Sequence, residues 1–372
     1  MDENSSLACR TQSRYYSIQP YDYGKVGAMK LPSCLLCDTV QLTEGEQLLI
    51  LNSAADPFVQ HVAERYRTIQ LTLAEDNIAL AQALLSQPDT RIRHIAFHHA
   101  ILQQPAGTVD SAVMNLLYQP GKSWILYGLQ VAAHALRPGG RLYVVGAKDR
   151  GLLTVAKHMQ EVFGTVETLE ISKGQRVICS RQPTIAIHSE TIAQPTLPVF
   201  ADSKLDEGTR LLLEALAVHA TDETLDIGCG AGPIGLHIAR QAMQGHVTMV
   251  DVSLAAVAAA QQATYESGLS NVRILPSDGV QAVIGQRFDL VVTNPPFHQG
   301  GLQTTAIAER FIGEAAQVLQ PQGRFYLVAN RFLKYEPICY ACFDHVKEVN
   351  GNTRYKVLRA VGIHKRLPAI DR

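Results

Sequence analysis

The chain has 372 residues, 47% of them hydrophobic and 18% charged, with 33 basic against 34 acidic side chains. At roughly 100–200 residues per domain this length fits two domains, and the composition excludes a disordered chain. A net charge of −1 excludes a uniformly basic polyanion binder, so any basic face has to be local.

The opening Met1-Asp-Glu-Asn-Ser-Ser6 carries acid and no apolar core, which argues against a secretory signal. No apolar run is long enough to span a bilayer, and a cytoplasmic protein is expected. Seven cysteines, an odd number, argue against a disulfide framework. Cys34/Cys37 and Cys339/Cys342 share Cys-x-x-Cys spacing and together suit a four-thiolate zinc site. The second pair, however, falls in an apparent helix, Pro337 to Phe343, where a spacing of three simply puts both on one face. No metal is expected.

Residues 1–40 are weakly patterned, with Tyr15, Tyr16, Tyr21 and Tyr23 clustered among Ser, Gln and Gly. From there the pattern clears: Leu48 to Leu51 reads as a strand, Asn52-Ser-Ala-Ala-Asp56 as a turn, and Val59, Val62 and Tyr66 as one face of a helix. Strands and helices go on alternating through Thr68 to Leu73, Asn77 to Leu85, Ile92 to Phe97, Asp110 to Tyr118, Ile125 to Leu136 and Arg137 to Val145. Val166 to Leu169 and Gln175 to Cys179 close this half. Such alternation predicts an α/β domain, a doubly wound parallel sheet whose late strands pair antiparallel. Pro183, Pro195 and Pro198 among Thr, Gln and Ser mark a linker over 183–199.

The second half repeats the order of the first. Thr224-Leu-Asp-Ile-Gly-Cys-Gly-Ala-Gly232 stands where Leu48 to Asp56 stood, and Phe288 to His298 matches Val109 to Gln119. Leu319-Gln-Pro-Gln-Gly-Arg-Phe-Tyr-Leu-Val328 echoes Leu136-Arg-Pro-Gly-Gly-Arg-Leu-Tyr-Val-Val145, and Thr353 to Arg359 echoes Lys173 to Cys179. We read a duplicated domain, residues 1–182 being a degenerate copy and 200–372 the copy that keeps the chemistry.

In that second copy Gly228, Gly230 and Gly232 follow a strand, and Pro233 suits the first helical position. Ile234, Ile238 and Ala242 then line the helix's buried face. Asp251 ends the strand Val247 to Val250, where an acid grips ribose hydroxyls. Asp278, after Val272 to Leu275, can accept from an adenine amino group. A dinucleotide fingerprint needs a third glycine where Pro233 stands. The observed G-x-G-x-G follows Asp226, a carboxylate suited to a cationic amino-acid moiety, so S-adenosylmethionine is the expected cofactor. Cys229 reads as a small filler in this loop.

The apolar strand Leu290 to Val292 stops at Asn294-Pro-Pro-Phe297, because two prolines cannot donate to a sheet ladder. The carboxyl edge of such a sheet is where ligands sit. An exocyclic amine is a poor nucleophile while its lone pair is delocalised into the base. With the Asn294 side-chain oxygen and the Pro295 carbonyl accepting its two N–H bonds, Pro296 holding the chain extended and Phe297 stacking on the base, the lone pair can face a methyl group. His298 is either a proton relay or a solvated loop histidine. Arg354, Lys356, Arg359, Lys365, Arg366 and Arg372, against only Asp371, suggest a phosphate-contacting surface or a basic solvated tail.

Residues 197–363 resemble the catalytic domain of the RsmC/RlmG group of ribosomal RNA guanine-N2 methyltransferases. The matching residues are Pro198-Val-Phe200, Asp206-Glu-Gly-Thr209, Leu225 to Gly232, Asp251-Val-Ser253, Asn294-Pro-Pro-Phe-His298, Val328-Ala-Asn-Arg-Phe332 and Arg354 to Ala360. Asn352-Thr353 stands where a glycine would directly precede the basic residue. The resemblance implies a degenerate methyltransferase-like first domain, residues 1–182, for RNA recognition or structural support, S-adenosylmethionine as methyl donor, guanine N2 of ribosomal RNA as acceptor, and Thr209 with Gly208 closing over the methionine end of the cofactor. Ribosomal RNA or a ribosomal subunit is then the partner. Two other readings stay open: methylation of another planar amine (adenine N6 or a protein glutamine), and a non-catalytic RNA-binding assembly factor.

Overall fold

The computed structural model describes residues 31–85, 89–183, 205–296 and 305–364, and the backbone of 298–299 and 302–303. The tyrosine cluster, the linker over 184–199, Pro198 to Phe200, Phe297 and the basic residues Lys365, Arg366 and Arg372 lie outside the described residues, as does the His298 side chain.

The first half holds β1 (Gln47–Leu51), β2 (Gln70–Glu75), β3 (Ile92–Ala96), β4 (Val109–Asn115), β5 (Leu136–Ala147), β6 (Glu167–Ser172) and β7 (Gln175–Arg181). The second holds β8 (Thr224–Ile227), β9 (Val247–Asp251), β10 (Val272–Pro276), β11 (Phe288–Thr293), the two-residue β12 (His298–Gln299) and β13 (Leu302–Gln303), then β14 (Leu319–Asn330), β15 (Phe343–Gly351) and β16 (Tyr355–Ile363). The sheet orders are β3-β2-β1-β4-β5-β7-β6 and β10-β9-β8-β11-β14-β16-β15. They are one topology written twice. In each, five strands run parallel and the last two join antiparallel, as the alternation of elements predicts.

Both faces of each sheet are covered, which is why the strands read as continuous apolar runs. In β11, Leu290 and Val292 pack on one side with Tyr326 and Val328. Val291 packs on the other with Ile227, Phe325 and Phe311. The weakly patterned opening stretch contains a helix, Leu31–Thr39, whose Ser33, Leu35 and Leu36 are buried against the first sheet. A short helix with only a few apolar contacts leaves too little periodicity to be visible in sequence.

The two halves meet where each sheet launches the helix after its second strand. Asn77 and Ser253 form an antiparallel bridge, in which Ile78 N–H donates to Val252 O at 3.0 Å and Leu254 N–H donates to Asp76 O at 2.9 Å. Helices Ile78–Leu85 and Leu254–Ser267 thus begin from one shared bridge.

Candidate active site

Strand β8 pairs with β9 on one side and β11 on the other, so the chain reverses direction across the sheet here. The crevice at such a switch point is the expected ligand position. Register sets Asp226 opposite Val292 and Ile227 opposite Thr293, which brings the glycine loop after β8 beside Asn294-Pro295 after β11.

Asp226 is fully buried. One carboxylate oxygen, Oδ2, accepts Gly235 N–H at 3.0 Å, and Oδ1 is buried with no partner among the described residues. Burial, with a contribution from Asp251, raises its carboxyl to about 7. Gly228, Gly230 and Gly232 have φ of +71°, +57° and +86°, a region that L side chains avoid. Beside Gly230 the space a Cβ would enter is open, so a ligand can approach its backbone.

Asp251 accepts Gly230 N–H on Oδ2 and Ser253 N–H on Oδ1, both at 2.9 Å. Burial raises its carboxyl above the usual range. Asp278 follows β10 as expected, but Arg310 Nη2 already donates to its Oδ1 at 2.5 Å. Arg310 comes from the helix Ala306–Val318, 32 residues further on, and no local pattern announces it.

At the amine corner, Pro295 is buried and Pro296 exposed. Asn294 Nδ2 donates to Thr209 Oγ1 at 2.9 Å and reaches Asp206 Oδ2 at 3.4 Å. Thr209 therefore lies against Asn294, in a position that the resemblance associates with the cofactor. Asn294 Oδ1 is buried and has no partner among the described residues. Asp206 escapes a search for catalytic residue types, although Asp-x-x-Thr before an apolar run is a helix-capping signature. It caps Glu207–Ala215, its side chain accepting from Thr209 N–H.

Of the basic stretch, Lys356 is buried and paired with Glu336 at 2.5 Å, so it belongs to the core rather than to a phosphate surface. Arg354 lies 3.5 Å from Glu207 and Arg359 is exposed on β16. In the departing Asn352-Thr353 pair, Asn352 accepts from Arg354 and Tyr355 N–H at 2.8 Å each and donates to Glu207 at 2.9 Å. Cys34 and Cys37 sit on the first helix; Cys339 and Cys342 are buried in the second domain. Among the described residues no group of three or more His, Cys, Asp or Glu is placed to hold a metal. No helix among them is long and apolar enough to cross a membrane.

The first half keeps the frame of this site and fills it. Glu75 Oε2 accepts Ala54 N–H at 2.9 Å, as Asp251 accepts Gly230. Asn115, the counterpart of Asn294, donates to buried Asp56 at 2.6 Å. Gln119 Nε2 sits 3.1–3.2 Å from the carbonyls of Leu51, Asn52 and Asn115, across the first half's counterpart of the glycine loop. The degeneracy of the first copy is thus physical: polar side chains hydrogen-bond across its crevice.

Two family models match, "Methyltransferase small domain N-terminal" over 33–174 and "Methyltransferase small domain" over 192–359. The chain is 30% identical to the ribosomal RNA small subunit methyltransferase C of Shewanella loihica, across 88% of this chain and 97% of that one. With its Pseudoalteromonas translucida counterpart it shares 27% over the same proportions. A solved T. thermophilus structure, described as the 16S rRNA N2-guanine methyltransferase RsmC with AdoMet and guanosine, superposes with a TM-score of 0.76 at 30% identity, covering 89% of this chain and 91% of that one. This chain belongs to the ribosomal RNA small subunit methyltransferase C family.

Proposed function

We propose that the protein transfers a methyl group from S-adenosylmethionine to the exocyclic N2 of a guanine in ribosomal RNA of the small subunit, in the cytoplasm. The observation that carries this reading is the buried Asn294 Oδ1, without a partner among the described residues and held at the end of β11 next to the glycine loop. A buried acceptor without a donor is costly, and an amine N–H satisfies it.

The residues suit the cofactor. Asp226 Oδ1, buried and without a partner among the described residues, would hold the ammonium of its methionine moiety. Gly228 and Gly232 hold the positive-φ turns of the loop and Gly230 would let it approach the backbone; Asp251 would take the ribose hydroxyls, and Asp278, positioned by Arg310, the adenine edge. S-adenosylmethionine, when bound, supplies an electrophilic methyl group on sulfur. The protein's own part is to orient the amine: Asn294 Oδ1 and the Pro295 carbonyl accept its N–H bonds, Pro296 keeps the turn extended, and Phe297 would stack on the extruded base. Residues 1–182 would support the catalytic unit, 200–372, and help to place the RNA.

The test is single-turnover methyl transfer to unmodified small-subunit ribosomal RNA, with cofactor affinity measured on the same samples. Asn294→Ala should lower the rate by roughly 10²–10³-fold and leave cofactor affinity unchanged. Asn294→Asp, which keeps an acceptor, should retain more activity than Ala. Equal rates for wild type and Asn294→Ala would remove this corner from the reaction.

A further inference from the structure

An amide side chain can present either its oxygen or its nitrogen, and only its neighbours decide which. Here they decide it through a directional chain. The Asp206 carboxylate only accepts. Thr209 Oγ1 donates its single proton to Asp206 Oδ2, so toward Asn294 it can only accept. Asn294 must then turn its Nδ2 donors inward, to Thr209 Oγ1 at 2.9 Å and Asp206 Oδ2 at 3.4 Å. Its Oδ1 is left in the crevice without a partner among the described residues. Thr209 is 2% exposed, which keeps water from competing for its hydroxyl.

We infer that Thr209 and Asp206 are positioning residues that set the orientation of the Asn294 amide, and thereby make the site selective for N–H donors over carbonyl groups. This rests on the role given to Asn294 above. With the amide reversed, the crevice would present a donor and would repel an amine. The pair stands 85 and 88 residues before Asn294 in the chain and acts through its amide nitrogen.

Thr209→Val separates this role from simple support. It keeps the volume and the helix cap, since Asp206 Oδ1 accepts from the Thr209 backbone N–H at 3.0 Å, but removes the acceptor facing Asn294. Single-turnover transfer to small-subunit ribosomal RNA, free and assembled into subunits, should fall by roughly tenfold to a hundredfold. Cofactor affinity by calorimetry and the thermal midpoint should stay close to wild type. Thr209→Ser should restore the rate. Asp206→Asn keeps a capping group but loses the one-way proton order, and should fall between Ser and Val. A wild-type rate in Thr209→Val, with Asn294→Ala inactive, would overturn the inference and leave the function standing. Cofactor affinity falling in step with the rate would overturn it too, by moving Thr209 into the cofactor site. A wild-type rate in Asn294→Ala, or a wild type inactive on both RNA substrates, would instead overturn the underlying reading.

Discussion

Asp76 Oδ1 accepts the backbone N–H of Ala255 at 2.8 Å, across the boundary between the two sheets. Its own carbonyl takes Leu254 N–H, while Ser253 Oγ takes Ala256 N–H at 3.1 Å. The first turn of Leu254–Ser267 is therefore capped mostly from the other domain. Ser253 also donates its N–H to Asp251, so the bridge that seats this helix also seats the acid we assign to the ribose. Burial, opposed by Ser253 and Ala255 and aided by Asp251, raises the Asp76 carboxyl to about 6.

Asp76→Ala should cost about 1 kcal/mol, the usual loss for a helix cap, and lower the thermal midpoint by a few degrees. Cofactor affinity should weaken with it, whereas Asp76→Asn, which still has an accepting oxygen, should keep both. Calorimetric titration and thermal denaturation of the two variants check this; unaltered affinity in Asp76→Ala would show that the domain contact does not reach Asp251.

Cofactor affinity should depend on pH through Asp226. Its carboxyl titrates at about 7 in the free protein, well above the usual range, so below that pH the site is mostly protonated. An ammonium prefers the ionised form, and binding must then release a proton. Affinity should rise with pH up to about 7, by at most about tenfold per unit, and level off above. Asp226→Asn should bind weakly and with a flat profile. A steep profile surviving in that variant would assign the titration elsewhere.

Asp251→Ala should weaken cofactor binding by roughly 1–3 kcal/mol, the cost of leaving hydroxyl partners unpaired. The same change also frees the Gly230 and Ser253 N–H groups. Asp251→Asn, which keeps one acceptor, should lose less than Asp251→Ala in equilibrium titration.

One cofactor should bind per chain. Gln119, Asn115 and Asp56 fill the first crevice with mutual hydrogen bonds, and removing them would leave buried polar groups unpaired. A stoichiometry near two by calorimetry would contradict this filling.

Sequence alone determined what local pattern encodes. Strand and helix periods, the glycine loop after β8, the acid ending β9, the acid after β10, and the proline stop after β11 are properties of short windows. The duplication was legible for the same reason, because two copies of one pattern fold into one topology. The tertiary structure decided which partners those residues meet. It set Thr209 against Asn294, turned Lys356 from a basic surface to a buried pair, and made Asp76, an unremarked acid, the cap of a distant helix. Each depends on a neighbour that strand order brings in from 20 to 179 positions away. A side chain's protonation and hydrogen-bond direction are set by such neighbours and by exclusion of water, and neither is written in the local run of residues.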